Sequence, residues 1–299
     1  MESSDQLAQP SCLAKLSHGQ GAVSPCRRTE SRPAMISSRF ISIVMPCYQQ
    51  AAFLEESVRS VLDQQGVDLE LLVMDPGSTD GSRKLLQRLK EDYGESLQLS
   101  FEPDDGQADA VNRGLSLARG NILGWLNSDD RLRPGALRQI VEYLNISEPR
   151  WLYGRCGIID EHGRQISPCI VWYKNIRGRN FSFNKFLTED FVPQMATFWN
   201  RSMWHAAGPL DKSRHLAMDY DLFLRFAEIA DPAVSKEYFA DFRVHKTAKS
   251  SLRVKEHLDE AFLTVCKHAA ALGWRGRLAL LLHRIYAVRT RLIYRLMKP

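Results

Sequence analysis

No stretch of this chain approaches the roughly 20 uninterrupted apolar residues that a membrane-spanning helix needs. Its start is polar and Ser/Gln-rich, without the apolar core of an export signal. Paired cysteines are missing too. Cys12, Cys26, Cys47, Cys156, Cys169 and Cys266 are scattered, with no CxxC or metal-finger spacing. That pattern argues for reduced thiols in a cytosolic protein and against a disulfide framework. There is no GxxxxGK[ST] loop and no GxGxxG turn, which disfavours a P-loop kinase or a dinucleotide dehydrogenase. A strong excess of one charge is also lacking. The formal net charge is +5, too mild to argue for a nucleic-acid partner. What remains is an ordinary globular composition, 44% hydrophobic and 25% charged over 299 residues, enough for one large domain or two small ones.

Residues 1–38 are polar and aperiodic and read as a disordered leader. From Phe40 onward short apolar runs alternate with segments of helical spacing. Strands are expected near Phe40–Met45, Leu69–Met74, Leu97–Phe101 and Asn121–Leu126. Helices are expected over Ala51–Gln65, Thr79–Tyr93, Ala108–Ala118 and Pro134–Leu144. This alternation predicts right-handed βαβ units and a mostly parallel sheet flanked by helices, an α/β fold. After Trp151 the pattern loosens into strand-like pieces near Trp151–Ile159 and Ile166–Trp172 and a helix from about Tyr220 to Ile229.

Three of the expected strands end in ligand-type residues: Pro46-Cys47-Tyr48, Asp75 through Gly81, and Asn127-Ser128-Asp129-Asp130. Open α/β sheets bind ligands at the carboxyl edge, where such ends collect. Hard divalent cations prefer oxygen donors and are commonly shared with substrate phosphates. The fourth strand's end thus points to metal-assisted chemistry on a phosphorylated compound.

The segments ISIVMPCYQQAAFLEESVRSVLDQQ, LELLVMDPGSTDGS and DDGQADAVNRGLSLARGNILGWLNSDD resemble the nucleotide-sugar half of family-2 glycosyltransferases of the GT-A fold. QMATFWNRSMWHAAGPLD and AMDYDLFLRFAE resemble the acceptor half. The resemblance covers about residues 40–250, and its specificity lies in five motifs kept in order. It implies a nucleotide-sugar half at 39–135 and an acceptor half at 136–250; residues 251–299 are expected to form C-terminal helices, basic and amphipathic. It also implies inverting transfer of a sugar from a nucleoside diphosphate, UDP by default, with Mn²⁺ or Mg²⁺.

Carried over residue by residue, the resemblance places Pro46, Tyr48 and Asp75 at the nucleobase and ribose, although Asp75 before Pro-Gly also suits a turn. Gln107 and Asp109 fall on the nucleotide side, near Asn112. Asp109 serves equally well as a helix N-terminal carboxylate, and Asp80 is better read as a cap. Asn127-Ser128-Asp129 occupies the family's Asp-x-Asp position, with Asp129 as metal ligand and Asp130 supporting it or binding sugar hydroxyls. Asn127 departs from the pattern; it can bond a ribose hydroxyl but brings one charge fewer. Asp219 is the candidate base that takes the acceptor's hydroxyl proton; Met218 stands where the family often has Glu. Asp221 and Gln194 fall on the acceptor side, Asp221 also being suited to pair with Arg225. His245, in RVHKTAKSS, matches a further metal ligand, and Arg243, Lys246 and Lys249 match cations that neutralise the diphosphate. Trp199 and Trp204 suit either sugar stacking or the core.

The tail from Trp274 carries seven basic and no acidic residues, with apolar residues at helical spacing. A basic amphipathic helix of this kind either lies on an anionic membrane or docks on the domain. The first option fits a lipid-linked acceptor and a peripheral enzyme on the inner face of the plasma membrane. Two other readings stand beside the glycosyltransferase: a nucleotidyltransferase acting on a sugar phosphate, and a catalytically idle glycan- or membrane-binding module.

Overall fold

The computed structural model describes residues 39–144, 147–248 and 253–297. The leader expected at 1–38 and Lys249 lie outside the described residues. The first half alternates as the periodicity predicts: β1 (Ile41–Pro46), α1 (Ala51–Leu62), β2 (Leu69–Met74), α2 (Ser82–Tyr93), β3 (Leu97–Ser100), α3 (Gln107–Leu117) and β4 (Ile122–Trp125). Then come β5 (Arg131–Leu132), α4 (Ala136–Leu144), β6 (Trp151–Ile159), α5 (Pro168–Gly178), α6 (Phe183–Thr188), β7 (Thr197–Asn200), α7 (Arg201–Ala207), α8 (Met218–Ile229), β8 (Ala233–Arg243), α9 (Val254–Ala269) and α10 (Gly273–Met297).

The strands make one eight-stranded sheet in the order β3-β2-β1-β4-β7-β6-β8-β5. β1 lies parallel to β2 on one side and to β4 on the other, and β3 extends the parallel half beside β2. β7 runs antiparallel to β4 and β6, while β6 and β8 are parallel to each other. The strand order reverses beside β1, which opens a crevice at the carboxyl ends of β1, β2 and β4.

Period-two alternation divides the strands between two cores. Ile41, Ile43, Met45, Leu71 and Val73 pack with Leu54 and Val58 of α1 and Leu86 of α2. Val44, Leu72 and Met74 face the opposite core with Val111 of α3 and Phe223 of α8. That second core continues into Val265 of α9 and Ala279 of α10, so the C-terminal helices share it. One polar residue interrupts the buried run of β2. Glu70 is 1% exposed, and it accepts from Ser42 Oγ at 2.6 Å and from Arg119 N and Nε, both at 2.7 Å. Gly120 closes this network by donating its N–H to Ser42 Oγ. A Cβ at Gly120 would lie 2.6 Å from Ser42 N, so the strand approach requires glycine there.

One expectation is corrected. Ile166–Trp172 does not form a strand; the segment from Pro168 to Gly178 is helix α5. Ser167 turns the chain at φ +53°, and Pro168 enters the first helical turn, where its missing N–H costs nothing. The run Ile170-Val171-Trp172 resembles a buried strand in sequence, yet Trp172 is exposed.

Candidate active site

The crevice residues are aligned by register. Pro46 pairs with Met74, and Val44 with Trp125, so Asp75 and Asn127 leave the sheet on either side of the β1 end. Tyr48 stands at the rim with 60% of its surface exposed, a free ring face. Asp75 is fully buried; its Oδ1 accepts from Gly77 N (2.9 Å), Ser78 N (2.8 Å) and Arg83 Nε (3.1 Å). Its Oδ2 is buried with no hydrogen-bond partner among the described residues. A buried orphan acceptor is costly, and an N–H or O–H donor would satisfy it. The neighbouring Cys47 thiol is pushed up to about 12 by burial and by the Asp75 charge, so it is no nucleophile.

Asn127 ties the crevice together. Its Oδ1 accepts from Gln107 Nε2 and Trp125 Nε1, both at 2.9 Å. Its Nδ2 donates to Asp130 Oδ2 at 3.3 Å and to Gln194 Oε1 at 3.2 Å. Gln194 Nε2 in turn donates to Trp125 O at 2.6 Å. Gln107, Asn127, Asp130 and Gln194 therefore form one network, joining residues expected on the nucleotide side to one expected on the acceptor side. Burial, with the Asp129 charge adding to it, pushes the Asp130 carboxyl well above its ordinary value.

Asp129 Oδ2 lies 3.0 Å from His245 Nε2, although the two residues are 116 positions apart. The imidazole is held by Thr247 Oγ1, 2.9 Å from its Nδ1, and by the Phe53 ring at 4.7 Å. A carboxylate oxygen and an imidazole nitrogen so placed fit Mn²⁺ or Mg²⁺. Among the described residues no group of three or more acidic, His or Cys side chains forms a complete cage. Two protein donors, with the rest supplied by substrate phosphates and water, is the way Mg²⁺ is usually held.

The remaining expected residues stand elsewhere. Asp109 is clamped by Lys212 Nζ at 2.9 Å, which holds its carboxyl below the ordinary value. Asn112 makes a two-way pair with the backbone of Leu210. Asp80 bonds Ser82 and the first N–H of α1, where it joins the two helix starts. Asp221 is fully buried between Arg225 (2.9 Å), Lys267 (3.2 Å) and His268 (3.4 Å). Burial works to raise its pKa, but these three partners hold it well below the ordinary value. Each of these four is thus already held by protein partners.

Arg243 does not face the crevice as a diphosphate neutraliser. It is 1% exposed, donates to the backbone oxygens of Asp129 (2.8 Å) and Asp160 (3.1 Å), and pairs with Glu56. Its own N–H donates to Asp130 Oδ1 at 2.9 Å. Lys246 is exposed. Trp199 and Trp204 are core residues, with ring centroids 6.5 Å apart.

Asp219 opens α8, and its Oδ1 accepts from Tyr220 N. Burial pushes its carboxyl up, while His257 nearby works to lower it. Asp190 is pushed up as well, by burial and then by the Asp219 charge, and Lys174 draws it back. An Asp with a raised pKa is a stronger base once ionised.

The sequence profile of glycosyl transferase family 2 matches residues 42–205. That is more than half of the chain and covers the crevice up to Asn127–Asp130 and Gln194. The chain belongs to glycosyl transferase family 2. Among relatives of this family member, the chondroitin synthase of Pasteurella multocida is 30% identical over 192 residues, 63% of the chain but 19% of that protein. The chain thus spans about a fifth of that relative. The PGL/p-HBAD biosynthesis glycosyltransferase of Mycobacterium bovis is 28% identical over 206 residues, covering 68% of the chain and 75% of that protein. The fold is that of the mannosyltransferase PcManGT of Pyrobaculum calidifontis, solved with GDP-Man and Mn²⁺. Their TM-score is 0.60 at 19% identity, over 84% of this chain and 74% of that one. S. aureus TarS 1–349 in complex with UDP-GlcNAc gives 0.56 at 13% identity, over 76% and 66%.

Some residues of this family member escaped the sequence reading. Arg83 fixes Asp75 and is visible only once α2 packs beside β2. Lys174 sits on the helix read as a strand. Helical spacing over 168–178 would have put Lys174 and Gly178 on one face. Asp190 and His257 reach Asp219 from segments 29 and 38 residues away in sequence, and no local pattern marks them.

Proposed function

We propose that this chain transfers a sugar from a nucleoside-diphosphate donor, UDP-linked by default, to a glycan or lipid-linked acceptor with inversion. The observation that carries the reading is the Asp129–His245 pair, 3.0 Å apart at the end of β4, beside the Asn127 network and the orphan Asp75 oxygen. Residues 39–250 serve as the transfer unit in this reading, and 251–299 are helices attached to it.

Asp75 bonds the base or ribose, and Tyr48 covers the nucleoside from the rim. Asp129 and His245 would hold the Mn²⁺ or Mg²⁺, which when bound supplies positive charge against the departing diphosphate. Asn127 is neutral, so Asp129 contributes the main protein charge there, and Arg243 fixes that aspartate's backbone from behind. Asp219 accepts the proton of the acceptor hydroxyl while its oxygen forms a bond to the anomeric carbon. The bond from that carbon to the diphosphate oxygen breaks, and the nucleoside diphosphate leaves with the electron pair. One displacement inverts the centre, and the enzyme needs no covalent nucleophile.

The tail helix supports a peripheral, cytoplasmic-face placement on an anionic membrane. No helix among the described residues is long and apolar enough to cross a bilayer. Ala279 and His283 of α10 are buried against the domain, while Trp274, Leu278, Leu281, Ile285 and Val288 remain exposed. These five recur every three or four residues, as one stripe, with Arg277 and Arg284 beside it. Co-sedimentation with vesicles of anionic, but not zwitterionic, lipid is the expected outcome.

The reading is tested with purified protein, a panel of nucleotide sugars, Mn²⁺ and membrane extract. A nucleotide sugar should raise the melting temperature by mass action and release its nucleoside diphosphate. Asp129→Ala should lower Mn²⁺ affinity by at least about 100-fold, since even outer-shell losses cost about 10–100-fold. Release of pyrophosphate would point to nucleotidyl transfer, and binding without release to an idle module.

A further inference from the structure

A cleft of about 300 Å³ opens between α5 and the β6/β8 strand pair. The sheet itself makes it. Between Tyr153 and Cys156 the β6/β8 register slips twice, so Tyr153 faces Val234 while Arg155 faces Tyr238. Such irregularities bend strands and re-aim side chains, and they gather beside active sites. Gly154 and Arg155 of this irregular stretch line the cleft together with Ser235 and Lys236.

The charge of the lining is one-sided. Arg155, Lys174, Arg179 and Lys236 all line the cleft, and no carboxylate does. None of the four has an ion pair within 4 Å among the described residues, whereas Arg131, Arg133 and Arg177 just outside each hold a carboxylate. Four unpaired cations around one concavity repel each other at close range and raise the local concentration of anions. On an ordinary surface, such cations are spread apart or interleaved with acids.

The cleft also adjoins the chemistry. Phe191 and Pro193 in its wall flank Asp190 and Gln194. Asp190 lies within electrostatic reach of both Asp219 and Lys174, and Cys156 in the cleft wall lies within reach of Asp130 and Lys174. Lining residues of the cavity are thus sequence neighbours of Asp190 and Gln194, and its Cys156 wall is within electrostatic reach of Asp130.

We propose that this cleft is the acceptor site and that it takes an acceptor carrying a phosphate or carboxylate group, gripped by Arg155, Lys174, Arg179 and Lys236. The inference rests on the glycosyltransferase reading for the word acceptor; the anion preference rests on the lining alone. Phosphate on a lipid carrier and carboxylate on an acidic glycan share this chemistry.

Titration calorimetry with the full chain, saturated with UDP and Mn²⁺ so that the donor crevice is filled, separates the cases. The probes are citronellyl phosphate and a glucuronate-bearing tetrasaccharide, each beside its neutral counterpart, citronellol and N-acetylchitotetraose. At least one anionic probe should bind ten-fold or more tightly than its counterpart, and more weakly as salt is raised. Whichever arm binds identifies a phosphorylated lipid or an acidic glycan as the source. The triple variant Lys174→Gln/Arg179→Gln/Lys236→Gln, which changes only exposed side chains, should lose that preference while its heat of UDP binding stays unchanged. The double variant Lys174→Arg/Lys236→Arg, which keeps every positive charge, should keep the preference. Equal binding of charged and neutral probes, or a preference that survives in the Gln variant, overturns the proposal. Absence of UDP binding in the unsubstituted protein would instead count against the donor reading and leave the cleft result to stand by itself.

Discussion

Replacing Arg243 with Met keeps much of the stem's volume and removes the guanidinium that joins the donor crevice to the distant end of β8. Arg243 is 1% exposed and donates at 2.8 Å to Asp129 O and at 3.1 Å to Asp160 O. Its third partner, Glu56, is 43% exposed and rehydrates when left alone, so that ion pair contributes little. The two carbonyl bonds come from a charged donor, each worth about 1.5–3 kcal/mol. The stacking of the guanidinium on Phe53, 5.0 Å from the ring centroid, adds to the loss. A total of about 4 kcal/mol follows from the two charged-donor bonds. For a domain of this size that lowers the melting temperature by about 10 °C. Calorimetry of Arg243→Met measures it directly. Because Asp129 loses its backbone anchor, Mn²⁺-dependent stabilisation by UDP should also weaken, at temperatures where the variant is still folded. A drop of less than about 2 °C with the Mn²⁺ dependence intact would refute the claim that Arg243 supports the metal-side carboxylate.

Asp219→Asn should leave UDP binding unchanged and reduce turnover about 10²–10⁴-fold, the usual contribution of a general base. In the unsubstituted protein the Asp219 carboxyl must be ionised to act, and burial raises its pKa. Turnover should therefore fall as pH drops through a value above the ordinary 3.8, and this limb should vanish from the variant's pH profile. Asp221 carries the opposite sign. Its folded pKa is depressed by His268, Arg225 and Lys267, so its contribution to stability is complete above the ordinary carboxyl pKa and lost as pH falls through the lower folded value. Asp221→Asn should destabilise the fold by about 3–5 kcal/mol at neutral pH, because it strands Arg225 and His268, and acid titration followed by circular dichroism should show that difference shrinking.

Much of the parallel half was legible in the residues. Ile41–Pro46, Leu69–Met74 and Ile122–Trp125 are near-continuous apolar runs, as strands buried on both faces must be. Their ends at Pro46, Asp75 and Asn127 met on one edge because parallel strands joined by right-handed crossovers share a direction. The second half was less readable. α5 carries its apolar residues on an exposed face, so Ile170-Val171-Trp172 gave no helical period. β7 has four residues and depends on β4 and β6 for its pairing.

Local sequence by itself determined the alternating α/β order, the two-faced strands, the carboxylate cluster at Asn127–Asp130 and the amphipathic tail. Each of these is set by side-chain period and by backbone stereochemistry within a few residues. Tertiary structure alone decided that His245 meets Asp129 across 116 positions, that Arg243 is a buried anchor, that Asp221 is enclosed by cations while Asp219 is not, and that four basic side chains surround one cleft. Those outcomes depend on sheet order and on the slipped register between β6 and β8. Such pairings are fixed by burial of the whole chain, and no window of the sequence contains both partners.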